Sequence, residues 1–220
     1  MKHVRCMMTI LTGALSIGAL SIVAAAQVPF DRLPEVFSAS VPRSEQISIA
    51  LSAGPAGVRD NATVYVLGRT GYEKAREGTN GVSCLVGRHF VRPTETTIEP
   101  MCYDPEGSRT LLLDYLYAEK LRSKGTAEAE IKVDIVEGYK EGRFRAPTKP
   151  GVLYMLSSDN RLGPTPDGGT VHFPAHVMFY APYMTGKDLG YASIAPFLVD
   201  PGKPWTTMIV IPNPAIRSAF

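Results

Sequence analysis

The spacing of apolar positions changes along this chain, and each change predicts a new element. Met7–Val23 (MMTILTGALSIGALSIV) is an apolar run without a charge. Gln27–Gln46 mixes proline, serine and charged residues and predicts a loosely held arm, after which Ile47–Ser52 opens a domain. Ala53–Asp60 (AGPAGVRD) has the glycine and proline of a turn-rich connection. Ala62–Arg69 (ATVYVLGR) is β-branched, aromatic and apolar on both faces, the pattern of a buried strand. Gly71–Glu77 alternates, with Tyr72, Lys74 and Arg76 on one face, and Val82–Arg88 alternates again, with Val82, Cys84 and Val86 together. Between them, Asn80-Gly81 is the residue pair that a type I′ hairpin turn favours, because both tolerate positive φ. These strands are expected to form a three-stranded meander, with Ile98–Tyr103 as a fourth strand that brings Cys102 towards Cys84.

After a turn at Asp104–Gly107 the spacing becomes helical. Leu113, Leu116, Tyr117 and Leu121 fall on one face of a helix over Thr110–Lys124, which Gly125 can close. Thr126 can cap a second helix, Ala127–Glu141, with Ile131, Ile135 and Tyr139 along one face. The pair predicts an αα-hairpin. Gly142–Pro150 reads as extended, since proline disfavours helix in the residue before it. Val152–Ser157, a segment centred on Val177–Tyr180, and Thr206–Ile211 read as later strands, separated by loops at Asp159–Gly169 and Ala181–Pro204. The fold class expected is α+β, with a largely antiparallel sheet, in a single domain over residues 47–212 and a tail at 213–220.

The opening run changes the picture of where this fold works. Lys2 and Arg5 precede it and Ala24-Ala25-Ala26 ends it, the layout of a secretory signal peptide over residues 1–26. Cleavage after Ala26 places the mature chain in the periplasm or outside the cell. The other reading of that segment is an uncleaved anchor. The full chain has 23 Lys+Arg and 21 Asp+Glu. The leader holds Lys2, Arg5 and no acid, so residues 27–220 carry equal numbers of each sign. A neutral chain without a basic block argues against nucleic acid and against an anionic membrane surface as partners. Cys84 and Cys102 remain after cleavage, and an even pair in an oxidising compartment predicts a disulfide.

The strings EGTNGVSCLVGR, EGRFRAPTKPGVLYMLS and HVMFYAPYMT resemble a group of exported bacterial proteins with no assigned activity. The resemblance spans roughly Ile47 to Pro212 and implies export and one domain. It carries no catalytic residue onto this chain.

Candidate chemistry is sparse. Histidine occurs in the mature chain at His89, His172 and His176. His172 and His176 stand four apart, but Pro174 between them breaks the helix that would aim both at one ion, so no metal site and no cofactor is expected. In a strand, His176 shares a face with Met178 and Tyr180. If Val152–Ser157 pairs with this strand, Tyr154, Asp159, Asn160, His176, Tyr180 and Tyr183 converge at one sheet end as a pocket for a small polar ligand. The plainer alternative is that His176 satisfies a core hydrogen bond and SSDNR, Ser157–Arg161, is only a turn. Ser157 or Ser158 with His176 and Asp159 would be the parts of a hydrolase, without the elbow motif that normally exposes such a serine. The expectation is therefore a non-catalytic binding or accessory module. An extracytoplasmic hydrolase at His176 is the first alternative, and an interaction protein using a sheet edge the second.

Overall fold

Eight strands join into one sheet, in the order 71–76, 63–68, 83–87, 99–103, 152–155, 176–180, 207–210 and 197–199. The computed structural model describes residues 37–88, 97–163, 169–190 and 196–211. The segments read as a signal peptide and an arm, up to residue 36, and His89 and the tail at 213–220 lie outside the described residues. In chain order the elements are α1 (Arg43–Leu51), α2 (Ala56–Arg59), β1 (Thr63–Gly68), β2 (Gly71–Arg76), β3 (Ser83–Gly87) and β4 (Glu99–Tyr103). Then come α3 (Pro105–Ser108), α4 (Leu111–Arg122), α5 (Glu128–Lys140), β5 (Val152–Met155), β6 (Arg161–Leu162) and β7 (Val171–His172). The last are β8 (His176–Tyr180), β9 (Phe197–Val199) and β10 (Thr207–Val210). Every pairing in the large sheet is antiparallel except β1 with β3, so the fold is α+β with a largely antiparallel sheet.

The parallel pair corrects the expected meander. β2 returns antiparallel on one side of β1, and the chain then crosses the start of β1 to lay β3 on the other side. β1 can be central because both its faces are apolar, whereas β2 carries the exposed Glu73 and Lys74 and sits at the edge. Asn80-Gly81 does turn the chain: Gly81 has φ +75° and Asn80 Oδ1 accepts from the Val82 N–H at 3.0 Å. The turn belongs to a crossover, not to a hairpin.

The sheet is buried on two faces. On one, α1 packs on Val64, Cys84, Val86 and Cys102. On the other, α4 packs on Leu85, Met101, Tyr103 and Leu153, with α5 behind it through Ile131 and Ile135. The expected loose arm fails from residue 37 on: Phe37 is 0% exposed and Val41 is buried, because the face beneath α1 needs covering. The αα-hairpin is present, and Gly125 closes α4 at φ +80°. Its facing residues differ from expectation. α4 buries Leu111, Leu112, Asp114, Tyr115, Ala118 and Glu119 and leaves Leu113 46% exposed. α5 starts after Ala127 without a side-chain cap from Thr126. Glu128 and Glu130 in its first turn still suit the positive end of the helix.

Cys84 and Cys102 stand opposite one another on β3 and β4 and form the predicted disulfide, with a Cα–Cα distance of 4.1 Å. Both are fully buried under α1. Replacing both by alanine should lower stability by about 3 kcal/mol in the loop-entropy account. Urea denaturation checks this. Reduced wild type should unfold near the midpoint of the double variant, and an unchanged midpoint for both would reject a stabilising role.

Candidate functional site

The helices roof one half of the sheet, and loops close over the other. Where they meet, a cavity of about 300 Å³ lies against β4, β5, β8 and β10. Its floor is the side of the sheet that alternation assigns to Met101, Tyr103, Leu153, Met155, His176, Met178 and Ile209. Leu111, Asp114 and Tyr115 of α4 form one wall. Leu162 and Phe173, beside the small β6–β7 hairpin, with Trp205 and Asp200, form another.

Pairing places His176 here. Met155 lies opposite His176, and the register Cys102↔Tyr154 puts Met101 next in the same row. The strand pairing expected between Val152–Ser157 and His176–Tyr180 is therefore present, and His176, Met178 and Tyr180 do share a face. His176 is 2% exposed. Its Nδ1 lies 2.9 Å from the Pro174 carbonyl, which can only accept, so Nδ1 carries the proton. Burial holds the imidazole below its ordinary pKa, against the opposing pull of that carbonyl. The neutral ring then leaves Nε2 as an acceptor, and among the described residues nothing donates to it.

Asn160 stands at the same end. Its Nδ2 donates to the carbonyls of Met155 and Ser157 at 3.0 and 2.9 Å, which fixes the amide orientation. Its Oδ1 is buried without a partner. Ile98 and Arg161 exchange backbone hydrogen bonds, both 2.8 Å, and this single bridge brings the start of β4 alongside the turn that carries Asn160. Glu99 lines the cavity too, and burial pushes its carboxyl up to about 7. Across the cavity, Asp114 accepts from the Tyr139 hydroxyl at 2.6 Å, and burial likewise pushes it up to about 7. Asp200 accepts from Trp205 Nε1 at 3.0 Å.

Of the residues expected at this corner, His176 and Asn160 line the cavity, and the others do not. Tyr154 pairs with Val177 and Cys102, so its side chain packs with the core under α1 on the opposite face. Tyr180 shares the face of His176 but lies beyond the cavity. Its ring packs on Gly107 and Gly151, and its hydroxyl donates to the Val152 carbonyl at 3.1 Å. Tyr183 follows the strand end in a left-handed conformation, φ 64°, and is 61% exposed. Asp159 is buried inside its own turn, where its N–H donates to Ser157 Oγ at 3.0 Å. Ser157 Oγ also takes a 2.7 Å hydrogen bond from Ser52 Oγ. Neither Ser157 nor Asp159 hydrogen-bonds to His176, so the serine–histidine–aspartate relay is not assembled. His172 is exposed. No group of three or more His, Cys, Asp or Glu among the described residues is placed to hold a metal ion.

Glu99, Asp114, Asp200 and Trp205 were missed at the sequence level. Glu99 begins a strand and Asp114 opens a helix, positions where acids are common on surfaces. One signal was present: Trp205 is the chain's single tryptophan, two residues before a strand.

The raised carboxyls make stability depend on pH with a definite sign. Glu99 keeps its proton to about 7 when folded and loses it near 4.5 when unfolded. Its contribution is thus fully present below about pH 4.5 and lost as pH rises through 7. Glu99→Gln removes this loss. The variant should be more stable than wild type by about 1–2 kcal/mol at pH 8, after discounting for water in the cavity, and equal to it at pH 4.5. Urea midpoints at the two pH values test it, and a pH-independent difference would show that Glu99 is well solvated.

No family model, no curated protein and no solved structure matches this chain.

Proposed function

We propose that this protein is an extracytoplasmic binding module that holds one small ligand in the cavity over β5, β8 and β10. One observation carries the reading. An apolar-walled cavity of about 300 Å³ is lined by Glu99, Asn160 and His176, with Asn160 Oδ1 buried and unpartnered. Buried polar atoms normally find partners, and leaving one unmade costs about 1–3 kcal/mol. A bound molecule that donates to Asn160 Oδ1 would recover that cost. The apolar walls match the general build of small-molecule sites. They favour a ligand with an apolar body, where the sequence pointed to a small polar one.

The compartment rests on two supports. The leader pattern of residues 1–26 predicts export, and the Cys84–Cys102 disulfide fits an oxidising environment. No helix of the described residues is long and apolar enough to cross a membrane. A hydrolase at the same corner has less support, because His176 lacks a hydrogen-bonded nucleophile. A sheet-edge interaction also has less support at β2, where Glu73 pairs with Arg43 at 2.6 Å and Lys74 with Glu77 at 2.7 Å. Such charges discourage strand addition.

Trp205 lines the cavity and is the only tryptophan, so its fluorescence reports occupancy directly. Titration with 1-hexanol, hexylamine and hexanoate up to about 10 mM should give a saturable change for at least one of them. Val199→Phe, which puts bulk into the lining, should remove the response. Absence of saturation with all three probes would reject the binding reading.

A further inference from the structure

Beside the hydroxyls of Tyr103 and Thr207, three polar groups of the cavity lining share one property: they accept hydrogen bonds. Asn160 spends both Nδ2 protons on carbonyls of the chain, which leaves Oδ1 as its free acceptor at the cavity wall, in a residue only 1% exposed. His176 spends its Nδ1 proton on Pro174, which leaves Nε2 as a second acceptor. The Glu99 carboxylate is the third, placed beside Asn160 by the Ile98–Arg161 bridge. The charged lining residues are also of one sign, Glu99, Asp114 and Asp200, with no lysine or arginine among the described lining residues. Tyr103, Tyr115, Phe173 and Trp205 supply aromatic surface between them.

Resting on the binding reading above, we propose that the ligand is a small organic cation, a primary ammonium on an apolar body of roughly six to ten heavy atoms, with its nitrogen among Glu99, Asn160 Oδ1 and His176 Nε2. An ammonium has three donors and no acceptor, one for each of these groups. An alcohol offers one donor and brings lone pairs that these groups cannot serve. A carboxylate offers no donor and adds a charge of the same sign as the lining acids. Aromatic faces favour a cation over either, and charge-assisted hydrogen bonds are about twice as strong as neutral ones.

Three probes of equal chain length separate the possibilities: hexylamine, 1-hexanol and hexanoate. Each is titrated calorimetrically into wild type and into Glu99→Gln, in phosphate at about pH 8, where Glu99 is ionised and the amine still protonated. Wild type should bind hexylamine about tenfold or more tighter than 1-hexanol, and Glu99→Gln should narrow that gap to about threefold or less. Equal or tighter binding of 1-hexanol or hexanoate overturns the cation inference and leaves the binding cavity standing. An amine preference unchanged in Glu99→Gln overturns the placement of the ammonium. Failure of all three probes to bind wild type overturns both readings. Should Glu99→Gln not fold, Glu99→Met removes the same charge without adding an unpaired polar group.

Discussion

Gly78→Ala should unfold this protein or cost it about 3 kcal/mol or more, a large share of the roughly 5–15 kcal/mol that holds a domain together. Gly78 lies where the chain leaves β2 and crosses the start of β1. A Cβ there would sit 2.2 Å from the Thr63 nitrogen, 2.3 Å from the Ala62 carbonyl carbon and 2.5 Å from the Asn61 oxygen. All three are backbone atoms, so no side chain can swing away. The crossing is also pinned by hydrogen bonds. Gly78 N–H donates to Thr63 Oγ1 at 3.0 Å, and Thr79 N–H to the Asn61 carbonyl at 2.8 Å. Relief of the clash would pull β3 from β1 at Thr63↔Ser83, the first rung of the parallel pair. Gly57→Ala is the matched control. It lies in α2 with nothing within 4 Å of a new Cβ, and it should be neutral or slightly stabilising. Urea denaturation of both variants decides. A Gly78→Ala midpoint equal to that of Gly57→Ala would show that the crossover yields easily.

The same crossover shows how much of the fold was legible. Strands β1 to β5, β8 and β10 were, and so was the turn at Asn80-Gly81, whereas β6 and β9 are two- and three-residue strands inside segments read as loops. Their order was not, because a hairpin signal is local and cannot tell which side of β1 the next strand takes. Burial pattern held a better clue than turn chemistry. β1 is apolar on both faces and suits an interior position, whereas Glu73 and Lys74 in β2 suit an edge, and a meander would have reversed those places. The helix face was misjudged because amphipathic reasoning puts acids outside. α4 buries Asp114 against Tyr139 and Glu119 against two arginines, and exposes Leu113 instead. At the site, two-residue alternation correctly grouped His176 with Met178. Alternation on β5 needs a register to choose its face, and the register turned Tyr154 away. The disulfide was legible from parity and compartment because its two cysteines come from neighbouring strands.

Glu119 holds the roof of the cavity to the sheet, and Glu119→Ala should cost about 3–5 kcal/mol. Its carboxylate is fully buried between Arg88 Nη2 at 2.5 Å and Arg122 Nη1 at 2.6 Å. Arg88 follows β3, whereas Glu119 and Arg122 belong to α4, so the pair ties helix to strand. Removal of the acid leaves two poorly solvated guanidinium groups. Arg122 keeps Glu128 at 2.6 Å, but Arg88 already has an unpartnered buried Nε. The penalty of stranding that charge, more than the lost attraction, sets the size of the effect. Glu119→Gln keeps the volume and one acceptor for an arginine, so its cost should be smaller, about half. The consequence reaches the cavity, because Leu111, Asp114 and Tyr115 lie on the same helix, and Tyr115 exchanges hydrogen bonds with the Arg88 backbone at 2.8 and 3.0 Å. A loosened α4 should admit water, restore solvation to Asp114, and flatten the fall in stability expected between pH 4 and 7. Urea midpoints for wild type, Glu119→Gln and Glu119→Ala across that range measure both effects. An alanine variant that loses less than about 1 kcal/mol would mean that the arginines find water where Glu119 stood, and that α4 is held by its apolar residues alone.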